Sequence, residues 1–309
     1  MVLNTFLTII QQGLCYGFVA MGVYLSYKVL GFPDLTVDGS FPLGSVVCVM
    51  LISSGMHFSL ALIIAFLCGA VAGAVTGLLH VKLKISNLLS GILTMTALIS
   101  INLNLGKVDG TLRVFISYGN DKTLFNNAFT NLFGQNTDAL ANITIFIILI
   151  LVFKILIDLF LKTKTGFMLK AVGANEQMGT NLGVDVGNYK ILGLSIANAM
   201  VALAGGVYGQ WMNYYDNTSG TGMVVLALAS VIIGVAVFKK FGKVKGTTAV
   251  VVGALIYTAC LNIVVALGVP SSYLKLIMAI LFAIILVLNK TLFKQGIAAK
   301  KEIKNASTN

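Results

Sequence analysis

Long apolar runs, separated by short polar connections, occupy most of the chain. About nine of them predict membrane helices, because most approach the roughly 20 residues that an α-helix needs to cross about 30 Å of hydrocarbon. None alternates apolar and polar residues in the manner of membrane strands. The runs are Thr5–Tyr27, Phe41–Met56, Phe58–Leu79, Ile85–Leu105, Leu140–Leu161, Tyr189–Met212, Gly222–Phe238, Thr247–Leu267 and Tyr273–Leu288. The pattern predicts an all-α, polytopic membrane bundle in which Phe41–Met56 is a short or discontinuous helix.

The composition excludes a soluble globular protein. Hydrophobic residues make up 58% of the chain and charged residues 10%, against roughly 45–50% and about 25% in soluble domains. Too few polar groups remain to cover a globule in water. We therefore expect a multi-pass protein of the cell membrane.

The basic residues predict the orientation. The net charge is +11, and most Lys residues fall in connections on one side of the predicted helices, as in loops that face the cytoplasm. This bias predicts an outside amino terminus and a cytoplasmic carboxyl terminus. Together with the apolar runs, the bias predicts one transmembrane domain over 1–289. This domain would have an external loop at 106–139 and a cytoplasmic loop at 162–188, and a basic cytoplasmic tail would follow it at 290–309. Anionic lipid is an expected partner of the tail, whereas no aromatic-interleaved basic patch indicates nucleic acid.

Catalytic and metal-binding motifs are absent from the sequence. There is no phosphate-binding loop of the Gly-x-x-x-x-Gly-Lys-Ser/Thr type and no His-Glu-x-x-His or Gly-x-Ser-x-Gly motif. The two histidines, His57 and His80, fall near the ends of predicted spans, and the four cysteines lie in apolar runs without metal-type spacing. We expect no enzymatic activity, no catalytic residue, no metal site and no cofactor in this chain.

The segment Gly31–Pro42 is too polar and too irregular for a lipid-facing helix. It holds two prolines, two glycines and four polar residues, so it predicts a broken element that lies at some depth beside a water-filled route. The alternative is a cytoplasmic turn in which Asp34 and Asp38 only cap helices. The candidates for a translocation pathway in this segment are Asp34, Thr36, Asp38 and Ser40.

Asparagines in or beside the predicted spans are weaker pathway candidates. Polar side chains within a membrane are functional hypotheses by default, but hydrogen bonding between helices explains asparagines equally well. These candidates are Asn102, Asn104, Asn198 and Asn213.

The cytoplasmic loop contains a second distinctive segment near residue 176. Asn175 suits the N-cap of a short helix, Glu176 its first turn and Gly183 its end. Met178 and Leu182 are four residues apart, which gives that helix a small apolar face. Such a helix needs a partner, and a groove on another protein is more specific than the membrane surface.

Several motifs together resemble the permeases of ribose-type and branched-chain amino acid-type ABC transporters. The motifs are Asp-Leu-Thr-Val at 34–37, Val-Gly-Ala-Asn-Glu at 172–176, Leu-Gly-Val at 182–184 and Ala-Leu-Ala-Gly-Gly at 202–206. The resemblance covers nearly the whole chain. It departs from the sugar permeases after Gly234, where the usual glycine-rich turn is replaced. The form Asp-Leu-Thr-Val-Asp-Gly-Ser is most similar to that of a permease branch associated with amino acids, aromatic amino acids among them.

The resemblance implies the membrane subunit of an ATP-driven importer. Such a permease works as a pair, with a homodimer expected here, beside two ATPase subunits that hold ATP and Mg and an extracellular substrate-binding protein. It also implies that the loop near residue 176 couples the permease to the ATPase. The coupling residues would be Gly173, Asn175, Glu176, Met178, Leu182 and Gly183.

Other functions stay open at this point. An ion-coupled secondary transporter of a small polar solute would need no ATPase, although it should carry more ionisable residues within its spans. An ABC permease for a sugar or a nucleoside would share the whole architecture. A vitamin-binding or lipid-acting membrane protein would work without a partner binding protein.

Overall fold

A computed structural model describes residues 2–108, 110–119, 123–125, 138–181, 183–238, 244–270 and 273–287. The predicted basic tail, 290–309, lies outside these residues. The helices are α1 (Val2–Val23, continued by a π-helical turn at Tyr24–Val29), α2 (Val37–Ser53), α3 (Phe58–Val81), α4 (Asn87–Leu105), α5 (Asp138–Phe160), α6 (Lys164–Ala174), α7 (Glu176–Asn181), α8 (Val186–Met212), α9 (Met223–Phe238), α10 (Gly246–Ala266) and α11 (Leu274–Val287). The strands are β1 (Lys107–Val108), β2 (Thr111–Leu112), β3 (Phe115–Ser117) and β4 (Tyr214–Asp216), and a 3-10 turn follows at Asn217–Gly220.

The predicted helical membrane bundle is confirmed. Each of the nine apolar runs corresponds to a helix, and seven helices among the described residues are long and apolar enough to cross a membrane. Helices α2 and α11 are shorter, at 10–17 residues, as the short Phe41–Met56 run indicated. The hydropathy pattern gave no sign of the strands, which form two small antiparallel pairs, β1 with β2 and β3 with β4.

Helix α8 lies at the centre of the bundle, and small residues let its neighbours approach closely. In its most apolar window 72% of the residues are buried. A Cβ added at Gly73 of α3 would overlap the carbonyl oxygen of Leu194, and one at Gly205 would overlap that of Phe41 in α2. The glycines spaced four apart therefore pack helices together within this chain.

The outer faces of α3, α4 and α5 are apolar and exposed. Val71 is 64% exposed, and similar side chains cover much of these three helices. Examples are Leu60, Ile63, Leu67, Leu88, Leu93, Leu151, Ile155 and Leu156. Lipid is the solvent that suits such a surface, because hydrocarbon removes the cost of exposing it.

The predicted cytoplasmic and external connections gather at opposite ends of the bundle. At one end, Asp158 of α5 pairs with Lys245 at 3.0 Å, and Glu176 pairs with Lys190 at 2.6 Å. At the other end, β3 from the first long loop pairs with β4. The grouping agrees with the alternating topology, while the side on which each end lies stays a prediction from the charge bias.

Candidate functional site

The helix that begins the chain is broken where the sequence predicted a discontinuity. After the π-helical turn, Gly31 adopts a φ of +71°, a region that favours glycine, and Pro33 disfavours a helical conformation at Phe32. The amide of Phe32 donates to the carbonyl oxygen of Ser26 at 2.8 Å. Residues 31–36 are thus a non-helical bend, and it leads directly into α2.

Asp34 is a buried carboxylate in this bend. Its side chain is 4% exposed, and its Oδ1 accepts a hydrogen bond from the backbone amide of Thr36 at 2.9 Å. Its Oδ2 accepts from Nδ2 of Asn198 at 2.6 Å. Among the described residues, no ion pair includes Asp34. The carboxylate therefore depends on neutral donors.

Asn198, near the middle of α8, joins two of the predicted pathway residues. It is fully buried, and its Oδ1 accepts from Oγ of Ser40 at 2.7 Å. Its Nδ2 also donates to the carbonyl oxygen of Leu194 at 3.1 Å. We call Asp34, Asn198 and Ser40 the polar network. The buried amide of Asn198 therefore has a partner for its oxygen and two acceptors for its NH2 group, as a buried polar group requires.

Thr36 lies beside this network but bonds to a different helix. Its hydroxyl is 2.7 Å from that of Thr76 in α3, and Thr76 donates to the carbonyl oxygen of Ala72 at 3.2 Å. Both threonines are fully buried. The sequence interpretation missed Thr76; the signal that could have located it is its position between Gly73 and Gly77, on the face of α3 that packs inward.

Asp38 has a different environment from the polar network. Its Oδ2 accepts from the amide of Gly222 at 3.0 Å and its Oδ1 from the amide of Val224 at 2.8 Å. A carboxylate at this place satisfies free amides at the start of α9 and suits the helix dipole. Asp38 therefore caps α9, a helix distant in sequence, while its place along a route stays a prediction.

The three remaining asparagines lie apart from the network. Asn102 is buried and donates to the carbonyl oxygen of Gly39 at 3.0 Å, while its Oδ1 has no hydrogen-bond partner. Asn104 is exposed and bonds its own helix, at Ser100. Asn213 is also exposed and ends α8 with a φ of +61°. The structure does not bring Asn104 or Asn213 to the bend.

The loop near residue 176 forms two helices, α6 and α7, where the sequence predicted one. Oδ1 of Asn175 accepts from the amide of Gln177 at 3.0 Å, and Gly183 has a φ of +70°, so the predicted start and end of the short helix agree with α7. Glu176 is 64% exposed and pairs with Lys190 at 2.6 Å. The Met178 side chain and Leu182 lie outside the described residues.

This loop touches the bend directly. A Cβ added at Gly173, at the end of α6, would overlap the carbonyl oxygen of Val29, and one at Gly31 would lie 3.1 Å from the carbonyl oxygen of Gly173. The two backbones are therefore in contact at a point three residues before Asp34. Nothing in the spacing of Gly31 and Gly173 could have indicated this contact.

Comparison with known proteins shows one family along the chain. Residues 5–286 match the family described as branched-chain amino acid transport system permease component. The tyrosine transport system permease protein of Clostridioides difficile is 42% identical over 275 residues, which are 89% of this chain and 88% of that protein. The ribose import permease protein of Bacillus subtilis is 29% identical over 92% of this chain and 84% of that protein. The fructose import permease protein of Bifidobacterium longum is 24% identical over 90% and 81%. No solved structure matches the chain.

Proposed function

Because the chain belongs to the permease component family of branched-chain amino acid transport systems, we propose that it carries an amino acid across the cell membrane, with aromatic amino acids as the first class to test. The family supplies the membrane subunits of ABC importers. The protein is a multi-pass permease, and ATP is hydrolysed by a partner ATPase rather than by this chain. The ion-coupled, vitamin-binding and lipid-acting alternatives are therefore not retained.

One observation carries the substrate proposal: the 42% identity to a tyrosine permease extends over 89% of the chain. The ribose and fructose permeases are similar over a comparable length but at 29% and 24% identity. The departure from the sugar permeases after Gly234 points the same way. A sugar or nucleoside remains the second candidate because those relatives share the whole architecture.

Two contacts support a mechanism in which the loop at 173–183 transmits movement to the polar network. Gly173 contacts Gly31, which leads within three residues to Asp34. Glu176 pairs with Lys190, which lies on the same helix as Asn198, roughly 12 Å further along the axis. The loop is thus connected to both partners of the 2.6 Å hydrogen bond between Asp34 and Asn198. A shift of the loop would change the spacing of these partners.

We expect the ATPase to dock on this loop. Asn175, Glu176 and Gln177 are exposed, and Phe167 of α6 is 63% exposed, so the surface is available to a partner. Met178 and Leu182 would complete the apolar contact. A second copy of the chain and an extracellular binding protein would complete the importer, and Asp34, Thr36, Asp38 and Ser40 would lie along or beside the route.

Uptake by the intact system tests the substrate proposal. The chain would be co-expressed with its ATPase and its binding protein, and the accumulation of labelled tyrosine, leucine and ribose would be compared. We expect saturable tyrosine uptake that stops when ATP is depleted. A matched strain lacking only this chain supplies the background. Saturable ribose uptake with no amino acid uptake would overturn the proposal in favour of the sugar alternative.

A further inference from the structure

A polar cavity lies at the predicted external end, apart from the polar network. Its volume is about 460 Å³, within the range of about 300–1,000 Å³ that small-molecule sites occupy. Its walls come from α1, α8, the turn after β4, α9 and α11. The residues that matter for its chemistry are Tyr16, Tyr208, Asp216, Met223, Lys275 and Met278.

The cavity contains one acidic and one basic side chain that do not neutralise each other. Asp216 accepts hydrogen bonds from the amide of Thr218 at 2.8 Å and from its hydroxyl. Of the ion pairs among the described residues, none includes Asp216 or Lys275. Lys275 also acts electrostatically on Asp38, but the carboxylate of Asp38 is already bonded to backbone amides of α9. A ligand with both charges would satisfy Asp216 and Lys275 together.

The remaining wall is aromatic and sulfur-containing. Tyr16 and Tyr208 stack with ring centroids 6.4 Å apart and planes inclined by 24°. Tyr208 also contacts Phe41 and Trp211, with centroids at 5.3 Å and 6.1 Å, so its ring is held in place. Such a surface favours an aromatic ring, which packs on tyrosine faces and, nearby, on the methionine sulfurs.

We propose that this cavity is a subsite for the zwitterion of an aromatic amino acid. The ligand's ammonium group would bind Asp216, its carboxylate would bind Lys275, and its ring would lie against Tyr16 and Tyr208. A neutral sugar could bond these side chains only through its hydroxyl groups, because it has no charge to pair with either of them. This inference rests on the proposed amino acid substrate, and it places a recognition site within one chain, outside the bend.

Two variants remove one charge each. Asp216→Asn keeps an oxygen that accepts from the amide of Thr218, so the turn after β4 retains its hydrogen bond while the negative charge is lost. Lys275→Gln removes the positive charge. Lys107→Gln, an exposed lysine on β1 at the same end of the bundle, is the matched control. Binding of tritium-labelled tyrosine would be measured on the purified permease–ATPase complex without the binding protein.

Competitors that lack one charge make the result specific. Tyramine lacks the carboxylate and hydroxyphenylpropionate lacks the ammonium group. We expect each variant to bind tyrosine about tenfold more weakly, as loss of a charge-assisted contact implies. Asp216→Asn should leave the affinity for hydroxyphenylpropionate unchanged, and Lys275→Gln should leave that for tyramine unchanged. A change in folding would lower all three affinities together and could not produce this crossed pattern.

The failure of this subsite can be told apart from failure of the proposed function. If the intact system takes up no amino acid, the function itself is wrong. If uptake occurs but both variants bind tyrosine like the wild type, only the subsite is overturned. Absence of saturable binding in the wild-type complex, or a parallel loss of all three ligands in both variants, would overturn it as well.

Discussion

Asp34 and Asp38 lie four residues apart on either side of the start of α2, but their environments differ in kind. Asp34, in the bend before α2, is bonded to the Asn198 side chain of α8 at 2.6 Å. Asp38 is bonded to two backbone amides, those of Gly222 and Val224. The Asp34–Asn198 bond depends on the spacing between the bend and α8, whereas a cap fixes the start of a helix in place. We therefore expect Asp34 to control transport and Asp38 to control stability.

The largest effect is expected at the bond between Asp34 and Asn198. Asp34→Ala or Asn198→Ala leaves the other partner buried without its hydrogen bond, at about 1–3 kcal/mol. We expect substrate uptake per folded permease to fall about tenfold or more in each variant. The double variant should cost less than the sum of the two, because the residues act as a pair. Uptake and the amount of folded protein in the membrane would both be measured.

Asn104→Ala is the matched control for Asn198→Ala. Asn104 lies on α4, but unlike Asn198 it is exposed, and its side chain bonds its own helix at Ser100. The Asn104→Ala variant should take up substrate at the wild-type rate. Wild-type uptake by Asp34→Ala at normal protein levels would remove the polar network from the mechanism and leave Asp34 with no more than a structural role.

A smaller effect is expected where the loop meets the bend. In Gly173→Ala the new Cβ would overlap the carbonyl oxygen of Val29, and such overpacking costs about 1–3 kcal/mol. Gly173 contacts the segment that leads into Asp34, so the variant should lose most of its substrate-stimulated ATP hydrolysis. Its basal hydrolysis and its membrane assembly should stay close to wild type. Stimulated and basal ATP hydrolysis of the reconstituted complex would be compared.

Gly179→Ala separates a specific contact from a general effect on the loop. Its Cβ would meet only the ends of the Val186 and Val172 side chains, at 2.9 Å and 3.0 Å, and these can move by a small amount. We expect most of the stimulation to remain. Equal losses in Gly173→Ala and Gly179→Ala would mean that the loop tolerates no change at all, and the proposed connection to Asp34 would lose its support.

The hydropathy pattern was sufficient to predict the bundle, since each spanning helix needs an apolar run of fixed length. It could not predict β3 with β4, because β4 has three residues and gains its partner from a segment about a hundred residues earlier. Nor could it predict that the loop forms α6 before α7. The helix α6 buries Leu169 and Val172 against the rest of the chain, a contact that exists only in the folded protein.

The individual residues of the site were easier to predict than their pairing. Asp34 belongs to an irregular polar segment and Asn198 is a polar group in an apolar run, so sequence alone suggested both. The bond between them joins positions 164 residues apart, and it forms because glycines let α2, α3 and α8 approach closely. For Asp38 the sequence suggested both a route and a helix cap, but it could not show that the capped helix is α9, almost two hundred residues later.

The smallest effect is expected at Asp38, and it tests the opening comparison directly. Asp38→Ala removes a helix cap, which costs about 0.5–2 kcal/mol, while Asp38→Asn keeps one acceptor oxygen for the amide of Val224 and should cost less than Asp38→Ala. Thermal unfolding of the detergent-purified protein should rank the wild type above Asp38→Asn and Asp38→Ala last, with near wild-type uptake per folded permease in Asp38→Asn. A variant Asp38→Asn that is as stable as the wild type but does not transport would show that its charge, rather than its cap, is required. Asp38 would then belong with Asp34 on the route, and the assignment of transport to Asp34 and of stability to Asp38 would be wrong.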